Sequence, residues 1–200
     1  LILDTKDKHD YQKQALENRV KYVRIVWRNF KGDLRYYAQL VMEGIAPHKE
    51  KNIVGKDTVG LDLGPKMAAG VSSTDAILEP FCTGVDRFDA KIRVVQRAMD
   101  RSRRANNPGN YNKNGTIKKG PKTWVKSRHY VKLTQAKADL ERKLVAERKR
   151  EHGELQNRIL SQGNVIKLED LSYKAWQRGW YGKSVNKHAP AEFVTRLAQK

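Results

Sequence analysis

The stretch VGLDLGPK, residues 59–66, sets a single acid, Asp62, between two leucines and two glycines near the end of a β-type run. An unpaired carboxylate is costly to bury, so an acid in such a place is solvated at a strand end, hydrogen-bonded, or bound to a metal. Taken alone, Asp62 reads first as a turn-forming acid, because Asp beside Gly is common where strands end. Its surroundings have to decide otherwise.

From residue 57 onward, three short apolar runs, TVGLDLG, MAAGVSS and AILEPFC, are separated by Gly-Pro-Lys and Ser-Thr-Asp turns. That spacing predicts a three-stranded antiparallel meander. Residues 86–104 turn helical and basic, and residues 105–122, rich in Gly, Pro and Asn, read as loop. Between Trp124 and Leu160 the apolar positions Leu133, Leu140, Leu144, Leu155 and Ile159 share one helical face, which predicts a long helix with a polar break around Arg148–His152. The run NVIKLEDL, residues 164–171, is a short apolar strand ending in the acids Glu169 and Asp170. An aromatic, glycine-rich loop, YKAWQRGWYGKS, follows, and then a helix from near Ala189. A meander, a helical excursion and a returning strand make an α/β arrangement in which the strand at 164 pairs beside the one at 57. Asp62 and Glu169 then converge on one end of the sheet, where a hard divalent cation relieves their mutual repulsion.

Upstream, residues 20–43 hold two β-rich runs around the turn KGD. Tyr22, Arg24, Val26 and Arg28 alternate there with Val23, Ile25, Trp27 and Asn29, which predicts a half-buried hairpin. Residues 44–56 have linker composition, so the domains are drawn at 1–56 and 57–200, with a helical insertion at about 86–162 in the second.

Charge narrows the partners. Lys and Arg number 41 against 22 Asp and Glu, a formal net charge of +19, which makes nucleic acid the default partner. Residues 85–160 carry 21 basic and 8 acidic side chains, or +13 of that total, so the charge is concentrated between the two candidate acids. A solvated helical face is the ordinary explanation of a charge run, but such a face mixes both signs. Arg101, Arg103, Arg104, Lys118, Lys119, Lys122, Lys126 and Arg128 are therefore expected to track a phosphate backbone without sequence specificity. Tyr111, Trp124 and Tyr130 lie among these charges, and Trp176, Trp180 and Tyr181 follow the second acidic run; core packing is the ordinary fate of any one of them. RGWYGKS is the exception, because Gly-flanked aromatics beside Arg178 and Lys183 do not suit a core, and Arg178, Trp180, Tyr181 and Lys183 are assigned to nucleic acid. Its Gly-Lys-Ser lacks the spacing of a phosphate-binding loop.

The single cysteine, Cys82, excludes an internal disulfide and a cysteine-based zinc site within these residues, and points to a reducing, cytoplasmic setting. No apolar run approaches the roughly 20 residues of a membrane-spanning helix, and neither a lipid anchor nor a basic amphipathic membrane segment is evident. The five histidines are scattered without ligand spacing, so they are assigned no metal, and no Cys-His or Ser-His-Asp pairing is indicated. Leu1 in place of Met, and a last helix without a stop signal, lead to the expectation of a piece of a longer protein.

VGLDLG followed by two strands, a long basic helical insertion and then VIKLEDL resembles the first and second RuvC motifs of the TnpB-type, transposon-encoded RNA-guided endonucleases and of their type V CRISPR-effector relatives. The resemblance covers most of the chain, and the hairpin KYVRIVWRNFKGDLRYYAQLVMEG looks like the end of the family's β-rich wedge domain. It implies an RNase H-like (RuvC) fold and two-metal hydrolysis of DNA phosphodiesters directed by a guide RNA. It also implies that Asp62 and Glu169 bind the catalytic Mg²⁺ or Mn²⁺, and that the insertion grips guide RNA or the guide–target heteroduplex. The family completes its site with a third acidic motif beyond a four-cysteine zinc ribbon. Neither is present here, since the only acid after Asp170 is Glu192, so zinc is expected only in further sequence. Two other readings stay open: a nuclease-deficient relative that binds RNA and DNA to repress or target, and a basic structural RNA-binding protein in which Asp62 is only a turn residue.

Overall fold

Alternation of apolar and polar side chains puts Val59, Leu61 and Leu63 on the buried side of strand Asp57–Leu63 and leaves Thr58, Gly60 and Asp62 on the other. The computed structural model in which this is seen describes residues 10–30, 32–45 and 52–200. They divide into two units between Asn52 and Ile53, inside the stretch read as linker.

The first unit holds a short helix, α1 (Tyr11–Leu16), and the strands β1 (Val20–Phe30) and β2 (Asp33–Met42), paired antiparallel. Gly32 takes φ 103°, a left-handed conformation that favours glycine, and its N–H donates to Asn29 Oδ1 at 2.9 Å to close the turn. The ribbon presents two different faces. Val23, Ile25 and Trp27 lie opposite Leu40, Ala38 and Tyr36 on one, while Arg24, Arg28 and Arg35 occupy the other, with Arg28 over the Tyr37 ring and Arg35 over Phe30. The expectation of a half-buried ribbon is corrected: Trp27 is 66 % and Tyr36 69 % exposed, because no further layer among the described residues of this unit packs on that face.

The second unit is mixed α/β. Strands β3 (Asp57–Leu63), β4 (Met67–Val71) and β5 (Ala76–Pro80) form the antiparallel meander, followed by α2 (Val85–Asn106), a single 3-10 turn at Pro108–Asn110, and α3 (Arg128–Gln162). The chain returns in β6 (Gly163–Leu168), parallel to β3, for a sheet order β5-β4-β3-β6. Helices α4 (Tyr173–Arg178), α5 (Gly182–His188) and α6 (Pro190–Leu197) complete it. The core lies on one side of the sheet, where Leu61 and Leu63 meet Phe81, Leu155, Ile159 and Phe193. No element of this unit covers the outer side among the described residues, with Leu78 70 % exposed.

Helix α3 begins four residues later than Trp124 because Ser127 caps it, its Oγ accepting from Tyr130 N–H at 3.1 Å. It runs unbroken through Arg148–His152, contrary to the expected polar break, because His152, Leu155, Gln156 and Ile159 repeat at helical spacing and all four are buried. Each polar member makes one bond to backbone, His152 Nε2–H donating to His188 O at 2.9 Å and Gln156 Nε2 to Phe193 O at 2.9 Å, while His152 Nδ1 has no hydrogen-bond partner among the described residues. At 35 residues the helix is about 52 Å long. Its last third covers the sheet, and the rest pairs with α2, where Glu151 caps the start of α2 by accepting from Gly84 N–H at 3.1 Å. The aromatic loop is corrected in part, since α4 and α5 make much of YKAWQRGWYGKS helical.

Burial pushes the His152 imidazole down to about 4 from its ordinary 6.5, with the His188 carbonyl opposing. Between those values the unfolded chain binds the proton and the fold does not, so stability is full above about 6.5 and declines as pH falls toward about 4. A denaturant midpoint followed across that range should fall more steeply for the natural protein than for His152→Gln.

Gly163 joins α3 directly to β6. A Cβ there would lie 2.1 Å from Asp57 O, so only glycine lets β6 lie against the start of β3. Gly163→Ala is expected to cost about 1–3 kcal/mol, the usual range for overpacking, read as a lower unfolding midpoint.

Candidate functional site

The parallel pairing of β3 with β6 runs Thr58–Val165, Val59–Ile166, Gly60–Lys167 and Leu61–Leu168. The next residues in each strand direction are Asp62 and Glu169, so the register carries both acids to the same end of two neighbouring strands. Asp62 faces away from the core because Leu61 and Leu63 face into it, and both carboxylates are exposed. Neither makes an ion pair or hydrogen bond among the described residues, and the same is true of Asp170.

That isolation is unusual within this unit. Glu79 pairs with Arg158, Asp86 with Lys187, Asp89 with Arg93, Asp100 with Arg103 and Arg104, Asp139 with Arg142 and Lys143, and Glu192 with Arg148. Glu141, Glu147, Glu151 and Glu154 pair with Lys137 or Arg150. Asp57 is held below the usual carboxylate range by hydrogen bonds from Ser73 and from Thr58 N–H, and Asp75 accepts from Gln162. In a chain of net charge +19, Asp62, Glu169 and Asp170 have no hydrogen-bond or ion-pair partner among the described residues. Carboxylates that accept only, with open lone pairs and like charge, are the donors a hard cation such as Mg²⁺ takes, filling its remaining positions with water. Among the described residues no three His, Cys, Asp or Glu side chains gather as a ligand cluster.

The basic residues divide into two groups. Arg103 and Arg104 are ion-paired with Asp100 and lie over the Trp124 and Tyr111 rings. Those two rings meet edge to face at 5.9 Å. Asn107, buried beneath them, donates to Arg103 O and Val125 O and accepts from Val125 N–H, which ties residues 107–125 to the end of α2. Arg103, Arg104, Tyr111 and Trp124 thus help hold the insertion together, and Tyr111 and Trp124 pack against it as aromatic residues ordinarily do. Lys122 Nζ donates to Gly120 O at 2.5 Å. By contrast, Arg101, Lys118, Lys119, Lys126 and Arg128 are exposed and have no acidic partner among the described residues. Arg178, Trp180, Tyr181 and Lys183 are exposed as well, whereas Trp176 packs edge-on against Tyr173 at 5.7 Å.

One pairing escaped the sequence reading. Cys82 Sγ lies 3.4 Å from His188 Nδ1, joining residues 106 apart. Nothing in the spacing signals it, because the contact exists only once α5 packs on the residues after β5. Burial, with Glu151 nearby, pushes the Cys82 thiol up to about 12, so at neutral pH it stays protonated and is a poor nucleophile. Cys82 should resist iodoacetamide in the native protein and be alkylated once denaturant unfolds it, as read by mass spectrometry.

No protein-family model matches the chain, and no curated protein matches it at a significant level. Among the described residues no helix is long and apolar enough to cross a membrane.

Proposed function

We propose that residues 53–200 belong to an RNase H-like (RuvC) nuclease domain, and that the full-length protein is an RNA-guided, metal-dependent DNA endonuclease of the TnpB or type V CRISPR-effector kind. One observation carries the reading. Asp62 and Glu169 each follow the last paired residues, Leu61 and Leu168, at the same end of adjacent parallel strands, and neither pairs with a basic side chain among the described residues of a strongly basic chain. A turn acid or an ordinary loop acid in such a chain has every opportunity to pair with Lys or Arg.

Asp62 and Glu169 are the residues that would hold Mg²⁺ or Mn²⁺, with Asp170 next to them. A divalent cation held there supplies Lewis acidity, which acidifies water and stabilises the departing oxygen of a phosphodiester. The chain itself contributes position. The parallel pairing of β3 with β6 brings the residues that follow Leu61 and Leu168 to one end of the sheet, and the buried Leu61 and Leu63 on either side of Asp62 hold it at the outer face. The exposed cations of the insertion bind guide RNA or the guide–target heteroduplex through the phosphate backbone, independently of sequence.

The test is cleavage of single-stranded DNA by the full-length protein purified with its bound RNA, with and without Mg²⁺, beside Asp62→Ala and Glu169→Ala. Both variants should lose metal-dependent cleavage while retaining bound RNA. Cleavage by either variant at the natural rate would overturn the assignment.

A further inference from the structure

Beside the turn that follows β3, a cavity of about 560 Å³ is lined by Lys66, Met67, Arg93, Trp180, Tyr181 and Lys183, among others. We propose that it is a subsite for one unpaired nucleotide of a nucleic-acid strand, with Trp180 and Tyr181 taking the base and Lys66 and Lys183 the phosphate. The inference deepens the nuclease reading and rests on it only for placing the strand beside Asp62.

The aromatic wall is held out deliberately by the fold. Trp180 is 101 % and Tyr181 59 % exposed, yet they lie in a tight connection between α4 and α5. A Cβ at Gly182 would fall 2.2 Å from Gln177 O, and Gly182 N–H donates to Gly179 O at 3.1 Å, so the backbone is packed against itself there. Val185, one turn later, is buried in the core and anchors α5. Exposed rings on a tightly turned backbone suit stacking on a base of any identity.

The cations divide by what they already hold. Lys187 is engaged by Asp86, and Arg93 by Asp89 at 2.5 Å. Lys66 and Lys183 are exposed and have no acidic partner among the described residues, so they are the lining cations open to an anion. Ser184 Oγ donates to Pro65 O at 3.3 Å, which stitches α5 to the β3–β4 turn and keeps the two lysines on one cavity. Gly64 N–H closes that turn on Met67 O at 2.9 Å, so Lys66 stands just across it from the strand end bearing Asp62.

A neighbouring hollow on α2 is lined by Arg93, Gln96, Arg97, Asp100 and Arg101 and shares Arg93 with the cavity. From Arg93 to Arg101 the helix advances about 12 Å. Arg97 and Arg101 have no acidic partner among the described residues. A free mononucleotide satisfies the cavity alone; a strand satisfies the cavity and this row of guanidiniums together. A base in a duplex is already stacked and paired, so the aromatic wall selects single strands.

The experiment measures binding without metal, in EDTA, by the full-length protein. The probes are a fluorescein-labelled 12-nucleotide oligothymidylate, the same strand annealed to its complement, and thymidine monophosphate. Trp180→Ala and the double variant Lys66→Gln/Lys183→Gln should each weaken the single strand at least tenfold and change the duplex less than twofold. Tyr181→Ala serves as a second probe of the wall, and all the altered side chains are exposed, so unfolding midpoints should be unchanged. Single-strand affinity within twofold of the natural protein in these variants would overturn the subsite. So would equal losses for strand and duplex, or variant-sensitive binding of the monophosphate with none of the strand. Cleavage with Mg²⁺ is followed in parallel. Trp180-dependent binding without cleavage leaves the subsite standing and the nuclease reading overturned; cleavage with binding indifferent to these variants does the reverse.

Discussion

Asp62→Asn in the full-length protein is expected to lower metal-dependent cleavage by about three orders of magnitude or more while leaving the fold and RNA binding intact. The substitution keeps size and polarity and removes the negative charge that holds the cation. A metal contributes several kcal/mol of charge stabilisation in the transition state, and about 1.4 kcal/mol corresponds to each tenfold in rate. The fold should survive because Asp62 is exposed and makes no hydrogen bond or ion pair among the described residues. Its neighbours Leu61 and Leu63 carry the packing. Removing a turn-forming acid would give the opposite pattern, with a lower unfolding midpoint and an unchanged cleavage rate. A single-turnover assay together with a thermal melt separates the two outcomes.

Phe81→Ala is expected to be the most destabilising single change in the second unit. Phe81 is 1 % exposed and lies edge to face with Phe193 at 5.1 Å and with His152 at 5.9 Å. It therefore joins the residues after β5, helix α3 and helix α6 in one contact. Truncating a buried Phe to Ala costs about 3–5 kcal/mol through lost transfer energy and the cavity left behind. In a domain of this size about 1 kcal/mol moves the melting temperature by about 2–4 °C, so a fall of about 10 °C is expected. A fall of only 1–2 °C would show that the three elements are held together by something other than this aromatic contact.

The strands were legible because their information is local. Three short apolar runs separated by turn residues from 57 onward, and an apolar run ending in acids at 164–171, predict β3, β4, β5 and β6 without knowledge of the rest. The helix face from Leu133 to Ile159 was legible for the same reason. The uninterrupted course of α3 was not, because the sequence reads His152 and Gln156 as polar and only the carbonyls of His188 and Phe193 make their burial acceptable. The start of α3 depended on one hydroxyl, that of Ser127.

Among the site residues, the sequence by itself determined the chemistry available: two acids at strand ends, a concentrated basic insertion, and an aromatic Gly-flanked loop with lysine beside it. Tertiary structure decided which of these already hold partners within the fold. Arg103, Arg104, Tyr111 and Trp124 look alike in sequence to Arg101, Lys126 and Trp180, but the first group has partners within the insertion, Asp100 for the arginines and the two rings for each other. Pairing is a property of distance, and distance between residues far apart in the chain is set by packing. The register of β3 against β6 is the clearest case. Each strand is written in its own few residues, whereas the placement of Asp62 beside Glu169 rests on Gly163 admitting the close approach of two backbones more than a hundred residues apart.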